Sequence, residues 1–244
     1  MVQEKAEIKP KKWHQKWWGV ILLIIFALFF VTLAAFIYEF VFLVDVQKQA
    51  LLMQNNLNKT LPGSVINIRD IAERGSGSYL GPQQADLVLV EFADFQCPYC
   101  KAVFLTIKAL GKEYGNSLKI IFRNYPNTID HPQALKAALA AACANEQNKF
   151  WEYHDQLFIN QADLSDQNLK NIALNLGLNS TQFNQCLDSN KYLVQIQSDM
   201  QDGATLNVKA TPTFLLNGNS FSGNVPYDVF KKIIDQAKIQ VSNQ

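Results

Sequence analysis

Thiols and imidazoles are scarce in this chain. Its 244 residues hold four cysteines, at positions 97, 100, 143 and 186, and three histidines, at 14, 131 and 154. Cys97 and Cys100 form a Cys-x-x-Cys pair, and no second such pair exists. A structural zinc site wants four ligands, commonly two such pairs or one pair with two well-spaced histidines, so no metal is expected. A surplus of charge is missing too: 22 Lys+Arg stand against 21 Asp+Glu. Within residues 79–244 the balance is 13 basic to 15 acidic, which gives no reason to expect nucleic-acid binding. Internal repeats and low-complexity tracts are absent. The sharpest lack is local, for residues 19–38, GVILLIIFALFFVTLAAFIY, contain no charge.

Twenty such residues, at about 1.5 Å per residue in a helix, span the roughly 30 Å hydrocarbon layer of a bilayer. A cleaved signal peptide has a shorter apolar region, about 7–15 residues, ending in a small-x-small site. Here Ala34-Ala35 runs into Phe36, Ile37 and Tyr38, which fits a retained signal anchor over about 19–43. Lys5, Lys9, Lys11, Lys12 and Lys16 precede it, whereas the twenty residues after it offer only Lys48. The positive-inside rule then predicts a single-pass protein of the cell membrane. Residues 1–18 form a cytoplasmic basic tail, 44–78 an extracytoplasmic linker and 79–244 an extracytoplasmic head.

In the head, Leu87–Phe92 reads as a buried central strand broken only by Glu91. Val103, Phe104, Ile107, Leu110 and Tyr114 recur at helical spacing immediately after the Cys-x-x-Cys pair, and Gly115 is the expected stop. Residues 118–125, LKIIFRNY, form a second strand, which makes a parallel strand–helix–strand crossover. A helical tract follows from Pro132 to about Leu206. Thr213–Leu216 and Ser220–Ser222 make a hairpin about Asn217-Gly218, and an amphipathic helix begins near Pro226. The fold class is therefore α/β.

The Cys-x-x-Cys pair lies where a strand hands over to a helix. Cys97 stands at the start of the helix opened by Pro98, so free N–H groups and the positive end of the helix dipole favour its ionised form. The thiolate is the reactive species, and an unperturbed thiol with pKa about 8.5 is mostly protonated at neutral pH. Cys100, one turn further in, is shielded and able to donate its S–H to that thiolate. Cys97 is thus the attacking sulfur and Cys100 the resolving one. A purely structural Cys97–Cys100 staple would close too short a loop to gain much stability.

Three segments in order, EFADFQCPYC, KFWEYHDQLF and ATPTF at Ala210–Phe214, resemble the DsbA-type thiol:disulfide oxidoreductases, over about residues 79–240. The resemblance implies a thioredoxin-like fold with a helical insertion at about 132–206, and catalysis at Cys97-Pro98-Tyr99-Cys100 by a redox-active disulfide without a cofactor. It implies that Pro212 is a cis proline facing Cys97, with the backbone of Thr211 turned toward the substrate; the alternative is an ordinary proline at a strand start. Glu91 matches the family's buried acidic residue, a proton relay to Cys100, unless it merely pairs with Lys119 or Arg123. His131 is expected as a surface or loop histidine and His154 as a packed or solvated one. Cys143 and Cys186 both fall in the insertion, outside the cytoplasm, with nothing else to pair with, so a structural disulfide is favoured over two buried thiols. The implied activity is the introduction of disulfides into reduced exported proteins, with reoxidation by a membrane quinone-linked thiol oxidase. A reductase or isomerase on the same fold is the alternative, since CPYC also resembles glutaredoxins. A metal-binding module that is no enzyme is the third reading.

Overall fold

The computed structural model describes residues 78–242 without a break and, ahead of them, residues 18, 20–22, 24–33, 36–38, 40, 41, 44 and 48. Residues 1–17 of the expected basic tail and 49–77 of the expected linker lie outside the described residues. The chain divides into two compact units, 1–58 and 59–244. In the first, Val20–Tyr38 is one helix of 19 residues with mean hydropathy 3.2, long and apolar enough to cross a membrane. Ile21, Phe26, Phe30 and Ile37 are exposed on it. A helix that is apolar all round suits lipid better than the flank of a soluble core.

The second unit is built on a five-stranded sheet in the order β1-β3-β2-β4-β5. The strands are β1 (Tyr79–Leu80), β2 (Leu87–Ala93), β3 (Leu118–Asn124), β4 (Thr213–Leu216) and β5 (Asn219–Ser222). β2 runs parallel to β3 and antiparallel to β4, and it is buried on both faces along its whole length. That double burial explains its unbroken apolar run, LVLVEFA. The two-residue β1, antiparallel to β3, was not legible in the sequence, because two residues are too few to show a period.

Helix α1 (Pro98–Glu113) makes the crossover between β2 and β3. It ends at Glu113 without a left-handed glycine: the Tyr114 N–H bonds to Leu110 O, and a Cβ on Gly115 would stand 2.8 Å from Gly111 O. Close approach, rather than a positive φ, therefore requires the glycine there. Five helices follow: α2 (Ala134–Asn145), α3 (Phe150–Ile159), α4 (Asp166–Asn175), α5 (Ser180–Asp188) and α6 (Leu193–Thr205). The alanine-rich α2 is buried through most of its length, its small side chains admitting neighbours on several sides. Helix α7 (Tyr227–Ser242) closes the fold through Phe230, whose ring meets Phe214 of β4 edge-on at 4.9 Å.

The strand register sorts side chains between the two faces, since successive residues point to opposite sides. Glu91 is paired with Phe122 and Phe214, while Phe92 is paired with Arg123 and Thr213. On the Phe92 face, Val88, Val90, Ile121 and Leu215 form a cluster with Val208, and α6 packs close. A Cβ on Gly203 of α6 would lie 2.6 Å from the Tyr125 ring, so only glycine lets the helix approach so far. Arg123, fully buried, reaches Asp199 at 2.7 Å and Asp202 at 2.6 Å on the same helix.

Cys143 of α2 and Cys186 of α5 are joined in a disulfide, with their Cα atoms 5.9 Å apart at a sequence separation of 43. For a loop of that length, loop-closure entropy puts the cross-link's contribution at roughly 3–4 kcal/mol. The double variant Cys143→Ala with Cys186→Ala is expected to melt about 10 °C lower, with disulfide exchange at Cys97 largely intact. Thermal denaturation beside an exchange assay checks this. Mass spectrometry of unreduced protein showing free thiols at both positions would end the claim.

Candidate active site

β2 carries the chain up to Asp94, and α1 begins four residues later. Cys97 is the N-cap of α1, with extended backbone (φ −69, ψ 123), and Pro98 is its first residue. Proline suits that place because its φ is already helical and the N–H it lacks would have no partner in the first turn. Cys97 and Cys100 are both free thiols, and both are buried, at 4% and 0% exposure. Tyr99 between them is 62% exposed.

The Thr211–Pro212 peptide bond is cis, and Thr211 O accepts a hydrogen bond from the Cys97 thiol at 3.2 Å. The loop before β4 therefore lies directly against the reactive sulfur. Neighbours hold the Cys97 thiol down to about 5: first the Cys100 S–H donated to it, then contact with Thr211 and the backbone N–H groups of Cys100 and Tyr99, against the opposing effect of burial. When Cys97 ionises it can no longer donate to Thr211 O, so the Cys100 S–H, the Thr211 side chain and the helix-end N–H groups do the stabilising. Cys100 is driven the other way, well above 9.0, first by burial, then by its own bond to Cys97 and the charge there, with Glu91 adding to the rise. Two thiols one helical turn apart thus differ by several pH units in where they titrate.

Glu91 is 1% exposed, and burial pushes its carboxyl up to about 8. The alternative in which Glu91 pairs with Lys119 or Arg123 is overturned by the register: both basic residues sit on the Phe92 face of the sheet, and Glu91 points to the other. Arg123 binds Asp199 and Asp202, and Lys119 donates to Gln83 O at 3.2 Å. His154 is buried, ringed by Phe122, Phe158, Trp151 and Phe95 at 5.0–5.7 Å between ring centroids, and burial lowers its pKa. His131 does lie in a loop, but it is tied down, with Nδ1 2.8 Å from Asp94 Oδ2. Among the described residues no three His, Cys, Asp or Glu side chains gather into a metal-binding cluster.

Sequence reasoning missed the residues that hold the Cys97 segment. Asp94, 1% exposed, accepts from the N–H groups of Gln96 and Asn127, each at 2.7 Å, as well as meeting His131. The first of these bonds, from residue i+2 back to an Asp side chain, is an Asx turn, a signal present in Asp94-Phe95-Gln96. Gln96 and Gln133 are bonded through their side chains, and Gln161 donates to Phe95 O and to Cys97 O, both at 2.9 Å. No short-range signal marks Gln161, because its partners lie more than sixty residues back in the sequence.

A mixed sheet with a Cys-x-x-Cys pair capping the first crossover helix, and a cis proline against it, defines the thioredoxin-like class. The family model described as Thioredoxin matches residues 73–236, more than half of the chain, and the chain belongs to that family. Among solved structures it is similar to the thiol-disulfide exchange protein alpha-DsbA2 from Wolbachia pipientis, with a TM-score of 0.63 and 23% identity over 78% of this chain and 97% of that one. BdbD from Bacillus subtilis, in its oxidised form, matches with a TM-score of 0.59 and 25% identity over 67% of this chain and 96% of that one. A thioredoxin-like oxidoreductase from Silicibacter pomeroyi matches at 0.63 and 24%, over 70% and 97%. The fold is that of the DsbA-type thiol-disulfide oxidoreductases. A curated relative, the Na(+)/H(+) antiporter NhaA 1 of Salinispora arenicola, is 35% identical over 158 residues, which is 64% of this chain and 24% of that protein. The chain spans about a quarter of the length of such relatives, and their transport activity is not carried over to it.

Proposed function

We propose that this protein is a membrane-anchored, extracytoplasmic thiol:disulfide oxidoreductase that introduces disulfide bonds into exported proteins. The observation that carries the reading is the inequality of the two thiols, Cys97 titrating near 5 and Cys100 well above 9.0. Exchange favours a leaving sulfur that is a stabilised thiolate. In the oxidised enzyme a substrate thiolate attacks Cys97 Sγ, the Cys97–Cys100 bond breaks, and Cys100 departs and takes up a proton. The second substrate thiolate then attacks its own partner sulfur in the mixed disulfide. Cys97 leaves as a thiolate, the substrate is oxidised by two electrons, and the enzyme pair is reduced.

Glu91, protonated at neutral pH by its burial, supplies the proton that Cys100 takes. Thr211, whose backbone already touches Cys97, offers its N–H and C=O to an extended substrate strand beside Pro212. A membrane quinone-linked thiol oxidase then takes the electrons from Cys97 and Cys100. Equilibration against glutathione tests the direction. A potential far above thioredoxin's roughly −270 mV supports the oxidase, and one near that value favours a reductase. A thiol count with and without reductant, beside metal analysis, separates either enzyme from a metal-binding module.

The anchor and the orientation are supported by the apolar helix, the lysines that precede it and the Cys143–Cys186 bond, which suits an oxidising compartment. Protease added outside spheroplasts is expected to remove the head and spare the amino terminus. A head digested only after lysis would place it in the cytoplasm and defeat the proposal.

A further inference from the structure

Gln161 lies just beyond α3, in the helical insertion, yet its hydrogen bonds are made to the segment that bears Cys97. Its Nε2 is 2.9 Å from Phe95 O and 2.9 Å from Cys97 O. A primary amide nitrogen carries two hydrogens, and here each has one carbonyl to itself. Cys97 O also accepts the Lys101 N–H at 3.1 Å, the bond that opens α1. One side chain thus holds the peptide plane on the carboxyl side of Cys97 and the plane two residues earlier. Between them Cys97 keeps the extended N-cap conformation in which the Tyr99 and Cys100 N–H groups act on its sulfur.

The rest of the grip also comes from the insertion. The Gln133 side chain accepts from Gln96 Nε2 at 3.3 Å and from the Leu164 N–H at 3.1 Å, which joins the start of α2 and the turn after Gln161 to the same segment. On the other side Asp94 binds Asn127 and His131. Of these side chains it is that of Gln161 that bonds the carbonyl of Cys97 itself.

We propose that Gln161 is a positioning residue for dithiol exchange, holding Cys97 at the end of α1 through paired hydrogen bonds to Phe95 O and Cys97 O, so that the helical insertion governs the reactivity of a cysteine outside it. This rests on the reading of Cys97 and Cys100 as an exchanging pair. An apolar side chain of similar length removes both donors and frees the N-cap to turn its sulfur away from the helix-end N–H groups. A shorter amide keeps the donors but does not span both carbonyls.

The test uses the full chain in detergent, with two readings on each variant: the midpoint of thiolate absorbance for Cys97 and the equilibrium constant against glutathione. Gln161→Met is expected to raise the midpoint by about one pH unit and to move the equilibrium about tenfold toward the protein's disulfide form, because the reduced form loses thiolate stabilisation. Gln161→Asn is expected to fall between it and the wild type, and it decides the matter alone if Gln161→Met does not fold. Gln147→Met is the control. The Gln147 side chain likewise ties down backbone, bonding the N–H of Asn179 at 2.7 Å and its carbonyl at 3.4 Å, but within the insertion. It should lower the melting temperature and leave the Cys97 midpoint unchanged. Wild-type values in both Gln161 variants, or an equal shift in Gln147→Met, would overturn the proposal. A wild-type Cys97 that titrates near 8.5 and does not exchange with glutathione would instead sink the exchange function itself, before any variant is compared.

Discussion

Cys97→Ser is expected to abolish exchange with dithiol substrates, whereas Cys100→Ser, whose Cys97 thiolate attacks a disulfide in an exported protein or in the oxidising partner and releases one of its two sulfurs, should accumulate mixed disulfides with them. The physical reason is the division of labour between the two sulfurs. With Cys97 held near 5, almost all of it is thiolate at pH 7. A thiol at the ordinary 9.0 is ionised only to about one part in a hundred there, so the attacking species is enriched about a hundredfold. Without Cys100 no internal thiol can displace a bound partner, and the adduct persists.

The replacement at position 100 matters. Serine keeps an O–H that can stand in for the S–H, the largest contribution to the low Cys97 value, while alanine removes it. Cys100→Ala should therefore raise the Cys97 midpoint by about one unit or more, and Cys100→Ser should raise it little. Adduct formation by Cys100→Ser should hold down to about pH 5 and fall below it, since that is where the thiolate is lost. Non-reducing gels across pH, beside thiolate absorbance, read both effects. A Cys97 midpoint near 8.5, or adducts formed equally well by Cys97→Ser, would remove the basis of the mechanism.

The second large effect is expected at Glu91. Its folded carboxyl titrates near 8 against an ordinary 4.5, so between those values the folded protein binds a proton that the unfolded chain does not. Stability is then highest, as far as Glu91 is concerned, below about 4.5, and it declines as pH rises toward 8. By pH 7 the loss is about 3 kcal/mol. Glu91→Gln has the same shape and no titration, so it should match the wild type at pH 4.5 and exceed it by about that amount at pH 7. The comparison belongs in the oxidised protein, where neither Cys97 nor Cys100 titrates; burial alone raises Glu91, and burial does not depend on the thiols.

The same substitution should slow catalysis. Cys100 must leave as a sulfur that holds its proton to well above 9.0, and the buried acid proposed to supply that proton is gone in Glu91→Gln. A loss of about a hundredfold in the rate of mixed-disulfide formation at pH 7 is the expected scale for a removed general acid. Stopped-flow reduction of the oxidised enzyme measures it. A variant both more stable and slower is the signature of a proton donor kept at a cost in stability. A more stable variant with an unchanged rate would leave Glu91 without a part in the proton transfer.

Most of this architecture was legible in local patterns. Leu87–Phe92 announced a doubly buried strand by its apolar run, and the spacing of Val103, Phe104, Ile107 and Leu110 placed the Cys-x-x-Cys pair at a helix start. The Asn217-Gly218 dipeptide marked the hairpin, and the charge-free stretch before Glu39 marked the apolar helix. These features are local because each depends on side-chain period, backbone freedom or solvent preference over a few residues.

The sequence by itself determined which sulfur stands at the end of the crossover helix, and hence which one is favoured as a thiolate, because the helix terminus and its proline are neighbours of Cys97 in the chain. Tertiary structure alone decided what surrounds that sulfur. Strand register put Glu91 on the face away from Lys119 and Arg123, since alternation along β2 and β3 leaves no route between them. Folding brought Thr211 O to 3.2 Å from Cys97 across 114 residues, and Gln161 to 2.9 Å from its carbonyl across 64. Buried carbonyls must be paired with donors wherever the fold supplies them, and a glutamine drawn from a distant turn carries no periodic or compositional mark of that duty.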